Sequence, residues 1–542
     1  MNKIILLVVL LAFNETFAQT NLVSDNVAVS DSILESYTNP QEPGMAIAVI
    51  RNGKVIYKNT KGIADLSNNL IITDSSTFNI ASVSKQFTAL LTLIAEEEGK
   101  LSLQDNISQY LPELENLPYK ITIEQLTNHT HGLPNYSDLI QMIGFSLEDP
   151  VSNDQAVKTM LSIESVNFEP GTQYQYGNSG FILLAEILKR VYEKPFSLLL
   201  KEKIFEPLNM SRTSVIDNPN TIIHNKAKSY TKNGDTYIEY NNRQMECGSS
   251  NIHTTLNDMI KWAINFQNPK VGTQSQMNQL MTKTISFSKD SDLGYGLGLI
   301  SETYKGLRTV FHGGGTAGYR AYILHVPKHN FSIITLGNQE SFDGLLIVQD
   351  LLTIYLEDFI VEPEHVNLSY TSEEMKEFEG TYKLHPGQYW TINADEKNLY
   401  FGGDSKPLPL IGNRKFEFIY LPTSYFTFHS NSMYWRIADF NYHCEKIRLN
   451  RPVLDEKELG KYVGVYKNES FNVFYELSIF ENNLVATHLT NGRITLSPLS
   501  KNSFSAGSPL GELNFQLNQE GEVNGFVLDG QNYNNIKFIK LK

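Results

Sequence analysis

Ser82-Val83-Ser84-Lys85-Gln86-Phe87 opens an apolar segment and sets a hydroxyl and an amine three residues apart. Residues at that spacing share a helix face, so the Lys85 amine can reach the Ser82 hydroxyl directly. Serine is a weak nucleophile until a base takes its proton, and a desolvated lysine can be that base. Spacing alone decides nothing, because Ser229/Lys232 and Ser286/Lys289 repeat it. Ser229, however, precedes Lys232-Asn233-Gly234, a turn, and Ser286 precedes Lys289-Asp290-Ser291-Asp292, a polar loop. Only Ser82 opens a long helix, with Val83, Phe87, Leu90, Leu91 and Ile94 on an apolar stripe ending at Gly99. The free N–H groups and dipole of a helix start favour developing negative charge. On these residues two readings of Ser82 stay open, a nucleophile or an ordinary N-cap.

Upstream, Gly44–Ile50 and Lys54–Thr60 read as strands around Asn52-Gly53, a pair suited to a tight hairpin turn. A short helical segment near Ser30–Tyr37 precedes them. Downstream, residues 100–290 read mostly as helices and loops, including Ser179–Tyr192 behind a Pro170-Gly171 turn, and Thr255–Phe266. Strands return at Tyr295–Ser301, Thr309–Phe311, Tyr319–Val326 and Phe331–Leu336, before a last helix over Phe342–Glu357. Strands at both ends with helices between predict an α+β unit, one antiparallel sheet flanked by helices.

Past Pro363 helical periodicity fades and short alternating strands take over. Phe378-Glu379-Gly380-Thr381-Tyr382 recurs as Tyr462-Val463-Gly464-Val465-Tyr466, and Asn398-Leu399-Tyr400 as Asn483-Leu484-Val485. Short helical turns at Ser372–Lys376 and Asp455–Leu459 introduce the two copies. The repeat predicts two small all-β, barrel-like domains over 371–452 and 453–542, closed enough to hide their edge strands. Tyr389, Trp390, Tyr400 and Trp435 are expected in the barrel core.

The 542 residues are too many for one ordinary core. Hydrophobic content of 41% against 19% charged residues reads as globular. A net charge of -14 with no basic run excludes a nucleic-acid partner. Lys3, the apolar stretch Ile4–Phe13 and Thr16-Phe17-Ala18 read as a signal peptide over 1–18. Its apolar run is about half the ~20 residues of a membrane span, so the expected product is exported, periplasmic or extracellular, without stable membrane insertion. Cys247 and Cys444 lie far apart and are expected as two isolated buried thiols.

Two further stretches have chemical potential. Tyr176-Gly177-Asn178 precedes a helix; its phenol suits proton transfer and its amide suits orienting a lysine, while a plain turn plugged by an aromatic also fits. His312-Gly313-Gly314-Gly315-Thr316-Ala317-Gly318 formally contains G-x-G-x-x-G, but a strand follows instead of the helix that a pyrophosphate site needs. Glycines beside a strand instead let a substrate backbone come close.

S-x-x-K, then Y-x-N, then H-x-G in this order resembles the penicillin-recognising serine hydrolases, in the branch with class C β-lactamases, D,D-carboxypeptidases, D-aminopeptidases and related esterases. The likeness covers roughly residues 25–360. Supporting stretches are Leu126–Pro134, Phe168–Thr172, Pro207–Met210 and Tyr295–Gly298. It implies a β-lactamase/transpeptidase-like domain over 19–362, with a helical subdomain and the site between helices and sheet. Ser82 would be the acylated nucleophile, Lys85 its base and Tyr176 a partner in proton traffic. Asn178, His312, Gly313 and Gly314 would bind substrate, and the backbone N–H groups of Ser82 and Gly315 would form the oxyanion hole.

Two residues depart from the family pattern. His312 stands where β-lactamases and many carboxypeptidases carry lysine; a largely neutral imidazole suits a substrate carboxylate poorly and favours aminopeptidase- or esterase-like members. His131 replaces the usual serine of T-x-S-G, which bears on loop packing. His129 and His131 lack a third ligand nearby, so neither a metal nor another cofactor is expected. Cys247, before Gly248-Ser249-Ser250, reads as packing. The C-terminal repeats resemble the β-domains appended to D-aminopeptidases.

The resulting expectation is an exported, metal-independent serine hydrolase acting through an acyl-enzyme on small amides, D-residue peptides or esters. Alternatives are a true β-lactamase or D,D-carboxypeptidase, and a non-catalytic protein binding cell-wall fragments. Nothing in the sequence fixes an oligomeric state.

Overall fold

A computed structural model describes residues 26–286, 292–361, 368–418, 424–437 and 440–541. The segment read as a signal and Lys289 lie outside the described residues. The central sheet has eight antiparallel strands: β1 (Met45–Arg51), β2 (Lys54–Lys61), β3 (Ile285–Ser286), β4 (Gly294–Tyr295), β5 (Ile300–Tyr304), β6 (Leu307–Thr316), β7 (Tyr319–Val326) and β8 (Phe331–Gly337). They run in the order β3-β4-β5-β6-β7-β8-β1-β2. Asn52 and Gly53 both take positive φ, 52° and 72°, as the tight β1–β2 turn requires. Met45 to Arg51 then pair with Gly337 to Phe331, so the two ends of the domain meet in one sheet.

β1 is buried on both faces, and its two-residue period divides the core. Ala46, Ala48 and Ile50 face one cluster with Trp262 and Phe266 of helix Leu256–Gln267. Met45, Ile47 and Val49 face another, with Leu34 of the helix over 26–37 and Val348, Leu351 and Tyr355 of helix Gly344–Tyr355. The helix Ser179–Tyr192 has the bounds its periodicity predicts.

Two strand expectations change. Tyr295–Ser301 is not one strand: it breaks between β4 and β5, where Gly298 has φ 74° and the Gly296 N–H donates to the Leu299 carbonyl at 2.8 Å. Gly298 lies against the Lys85 backbone, whose carbonyl oxygen would sit 3.0 Å from any Cβ there. Conversely, the strand expected at Thr309–Phe311 runs from Leu307 through the glycines to Thr316, because β7 pairs with it as far as Thr316↔Tyr319.

Beyond the helical turn Ser372–Phe378, eight strands between Gly380 and Ile447 form one sheet. Its ends approach through a Tyr400↔Pro407 bridge and a 2.8 Å bond from the Leu408 N–H to the Leu399 carbonyl. Eight more strands, from Gly464 to Lys540, form a closed barrel. The repeat seen in sequence is a repeat of contacts. Tyr382 donates to the Phe378 carbonyl and Tyr466 to the Tyr462 carbonyl, both at 2.8 Å. Lys446 and Lys540 lie over those two phenol rings at 6.0 and 5.8 Å. Trp390 and Trp435 pack together, ring centroids 4.5 Å apart. The other two aromatics expected in that core sit elsewhere. Tyr389 reaches Glu512 of the closed barrel, and Tyr400 donates to Asp395 in its own hairpin at 2.5 Å.

The closed barrel is docked on the hydrolase-like domain. Its Tyr475 hydroxyl donates to the Met142 carbonyl at 2.7 Å. Its Asn532 carbonyl accepts from the Asn135 N–H at 2.8 Å and from Asn167 Nδ2 at 2.9 Å. Cys247 and Cys444 are both buried and free. No helix among the described residues is long and apolar enough to cross a membrane.

Candidate active site

Ser82 is delivered by a short strand, Thr77–Asn79, that pairs with Ile252–Thr255. At its end the Ile80 N–H donates to the Ile252 carbonyl at 3.0 Å, and Asn79 Oδ1 accepts from the Ala81 N–H at 2.8 Å. Ala81 is held at φ 45°, an uncommon conformation for a residue with a side chain. Ala81–Ser84 then make a tight 3-10 turn that runs into helix Lys85–Glu97. Ser82 lies within this turn, and neither its start nor the start of the following helix is capped by a side chain. The N-cap reading of Ser82 therefore falls away, and its hydroxyl is half-buried beside an amine instead.

That amine is Lys85, which is fully buried. Its Nζ donates to Ser82 Oγ at 3.1 Å, to Asn178 Oδ1 at 2.8 Å and to the Ser249 carbonyl at 3.1 Å. Burial lowers its pKa to about 7, with the carboxylate of Glu246 pulling the other way. Asn178, the residue before helix Ser179–Tyr192, turns its Nδ2 to Glu246 Oε2 at 2.7 Å and to Ser137 Oγ at 3.0 Å. Its own N–H donates to Asn135 Oδ1 at 2.8 Å. Glu246 is buried too, and desolvation raises it to about 7 against the pull of Lys85.

The Tyr176 ring lies beneath the amine, 4.9 Å from Lys85 Nζ to the ring centroid. It belongs to an aromatic cluster in which His129 is central, with centroids 4.4 Å from Tyr176, 4.6 Å from Tyr295 and 5.4 Å from Phe181. His312 closes the cluster. Its Nδ1 meets the Gly313 carbonyl at 2.5 Å and its Nε2 meets the Tyr295 hydroxyl at 2.9 Å. With Nδ1 donating to the carbonyl, Nε2 accepts from the phenol, the pattern of a neutral imidazole. Burial, then the nearby Lys85 charge, lowers its pKa to about 3. His312 lies on β6, as expected, and is 1% exposed, so its side chain backs the site through Tyr295.

The glycines form the far wall. β5 pairs with β6 as far as Ile300↔Phe311, and residues 312–316 pair with β7, from His312↔Ile323 to Thr316↔Tyr319. Gly314 presses on the serine turn: a Cβ there would lie 2.3 Å from the Ile80 carbonyl oxygen and 3.2 Å from the Ser82 nitrogen. Gly313 is half-buried and Gly315 is exposed at the rim. The structure thus brings Ser82, Lys85, Tyr176 and Asn178 together and sets the 312–315 strand against the serine turn through Gly314.

Glu246, Ser137, Asn135 and Tyr295 are the neighbours that sequence reasoning left out of the site. Glu246 had a signal: it is the one charge in Gln244-Met245-Glu246-Cys247-Gly248-Ser249-Ser250. Cys247 beside it is packed near the Ile216 carbonyl, and burial pushes its thiol up, away from reactivity. His131 accepts from the Leu133 N–H at 2.9 Å through Nδ1, a loop contact. Among the described residues no group of three or more His, Cys, Asp or Glu is placed to hold a metal.

A family model described as Beta-lactamase matches residues 30–351. The chain belongs to the β-lactamase family. Within that family it is 32% identical over 318 residues to a D-aminopeptidase of Brucella anthropi, a match covering 57% of this chain and 59% of that protein. A D-aminopeptidase of Brucella canis is 31% identical over 307 residues, covering 56% and 57%. The matches thus span less than two thirds of these curated relatives. An octameric penicillin-binding protein homologue from Pyrococcus abyssi shares the fold over 96% of this chain and all of that one, at 18% identity and TM-score 0.55. A D-stereospecific amidohydrolase from a Streptomyces species shares it over 60% of this chain and 97% of that one, at 21% identity and TM-score 0.51. This β-lactamase-family chain therefore has the penicillin-binding-protein-like fold, followed by its all-β units.

Proposed function

We propose that the protein is a serine hydrolase that works through an acyl-enzyme on small amides, D-residue peptides or esters. One observation carries the reading: a buried lysine, its pKa lowered to about 7, donates to a serine hydroxyl 3.1 Å away on a strained turn. A neutral Lys85 takes the Ser82 proton as Oγ bonds to the substrate carbonyl carbon. The oxyanion is received by the N–H groups of Ser82 and Gly315, in the role of an oxyanion hole. Collapse expels the amine or alcohol, which leaves with a proton passed by Lys85 and Tyr176. Water, deprotonated by the same pair, then hydrolyses the ester on Ser82.

The neutral, buried His312 supports substrates without a carboxylate at the strand, and the D-aminopeptidase relatives point toward amides of D-residues. A rate panel tests this, using D-aminoacyl anilides, short-chain esters, D-alanyl-D-alanine peptides and nitrocefin with native protein and Ser82→Ala. Anilides or esters are expected to turn over fastest, and Ser82→Ala to remove that turnover. Nitrocefin as the best substrate would assign a true β-lactamase, and binding without turnover would assign a binder of cell-wall fragments. We further propose export, supported by Lys3 and the Ile4–Phe13 apolar run. N-terminal sequencing of the secreted product checks it, with a start after Ala18 expected.

A further inference from the structure

We propose that Glu246 is a positioning residue of the hydrolytic site, fixing the Asn178 amide and supporting Lys85 as a base. The proposal rests on Ser82 and Lys85 acting as nucleophile and base. The three hydrogen-bond partners of Lys85 Nζ described above are all uncharged groups: a hydroxyl, an amide oxygen and a backbone carbonyl. The Glu246 carboxyl lies one amide away. Two bridges join it to the amine. Asn178 spans them with Oδ1 on Lys85 at 2.8 Å and Nδ2 on Glu246 at 2.7 Å. Ser249 has its carbonyl on Lys85 at 3.1 Å, while its hydroxyl reaches the Glu246 backbone carbonyl at 3.0 Å and lies 3.3 Å from Glu246 Oε2.

Each bridge has a direction. An ammonium or amine N–H donates to an amide oxygen, so Asn178 turns its oxygen to Lys85 and its NH2 away. That NH2 needs acceptors, and Glu246 with Ser137 Oγ supplies them. A buried carboxyl without a direct ion-pair partner is expensive for stability, so fold stability alone gives no reason for it. Chemistry does. When the Ser82 O–H bond breaks and the new N–H bond forms on Lys85, an ammonium appears in a dry site. A carboxylate one amide away favours that charge. The other groups facing the pair do not replace it: the Tyr136 phenol and the Cys247 thiol near Glu246 are held neutral by burial, as are His129 and His312 near Lys85.

The test uses the full chain and a fluorophosphonate, with labelling followed by intact mass from about pH 5 to pH 10. Labelling needs neutral Lys85, so its rate should rise through an acid limb near pH 7. Glu246→Gln keeps an acceptor oxygen but removes the charge. We expect its limb to move to lower pH by about one unit and its plateau to fall about tenfold, since a weaker base accepts the proton less readily. Glu246→Asp, which keeps the charge, should return the limb toward the native position. A folded Glu246→Gln protein with the native limb would overturn the proposal. Ser82→Ala separates the two readings: if it labels like the native protein, the nucleophile assignment itself fails. Should Glu246→Gln not fold, infrared titration of the native protein decides. A carboxylate band for Glu246 present across the plateau of the labelling limb supports the role, and a carboxyl still protonated on that plateau overturns it.

Discussion

Gly314 touches Ile80 so closely that a Cβ on the glycine would meet the Ile80 carbonyl oxygen at 2.3 Å. The wall strand and the serine turn are therefore joined through bare backbone. Gly314→Ala must push β6 off the turn and shift the N–H groups proposed to receive an oxyanion. We expect labelling of Ser82 to slow by about a hundredfold or more, the scale of losing one oxyanion-hole donor. Gly315→Ala is the contrast, because its nearest neighbour is Arg320 Nη1 at 3.5 Å and no positive φ is involved. Its rate should stay within about threefold of native, as expected of a substitution that meets no clash. Equal losses in the two variants would show that the contact with the turn is not what matters.

The pH dependence of native turnover follows from the direction in which Lys85 is shifted. Its pKa is lowered to about 7, chiefly by burial, and only the neutral amine accepts the Ser82 proton. Activity, read as kcat/KM on an anilide, should rise with pH through a midpoint near 7. Lys85→Arg should abolish the rise and lower the rate by about a thousandfold or more, since a guanidinium does not deprotonate in proteins. A native limb near pH 10 would mean a solvated lysine.

The same group leaves a mark on stability. In the unfolded chain a lysine titrates near 10.5, in the fold near 7, so between those values the unfolded state holds a proton the native state lacks. Native stability therefore rises with pH across that window. Glu246, raised from 4.5 to about 7, acts oppositely below it, its native state holding the extra proton. Lys85→Met, which removes the buried amine, should unfold at higher denaturant than native protein. The lysine's share of the gap should be full at and below about pH 7 and shrink toward pH 10. A gap independent of pH would detach stability from this lysine.

The candidate site was legible in the sequence because its residues lie in short, ordered motifs. Ser82/Lys85, Tyr176/Asn178 and His312 with the glycines 313–315 are each local, and the chain had only to bring them together. Glu246 was less legible, since its role depends on a contact between Asn178 and a residue 68 positions away. The strand errors have one cause. Gly298 turns because the Lys85 carbonyl lies against it, and Gly313–Gly315 stay extended because β7 holds them, neither of which alternation can reveal. The β-repeat was readable through its Phe378/Tyr382 and Tyr462/Tyr466 pairs, whereas the reach of Tyr389 to Glu512 belongs to the docking of one unit on the other.

That docking reaches the site by a short route. The Asn532 carbonyl of the closed barrel accepts from the Asn135 N–H, and Asn135 Oδ1 accepts from the N–H of Asn178, the residue that holds Lys85. Tyr475 anchors the same barrel, its hydroxyl donating to the Met142 carbonyl at 2.7 Å while accepting from Asn491 Nδ2 at 2.9 Å. Tyr475→Phe takes this donor from the carbonyl of buried Met142, a cost of about 1–3 kcal/mol, while Asn491 Nδ2 keeps its bond to the Gln141 carbonyl at 3.0 Å. Because Tyr475 stands away from the reacting atoms, denaturation should shift to lower denaturant while the labelling rate of the folded protein stays near native. Removing residues 453–542 goes further, since the barrel residues Tyr475 and Phe538 share one continuous core with Tyr136 and Met142. The shortened chain would expose that core, and we expect it to aggregate on expression. A soluble truncated chain with native labelling would show that the barrel neither covers the core nor steadies Asn178.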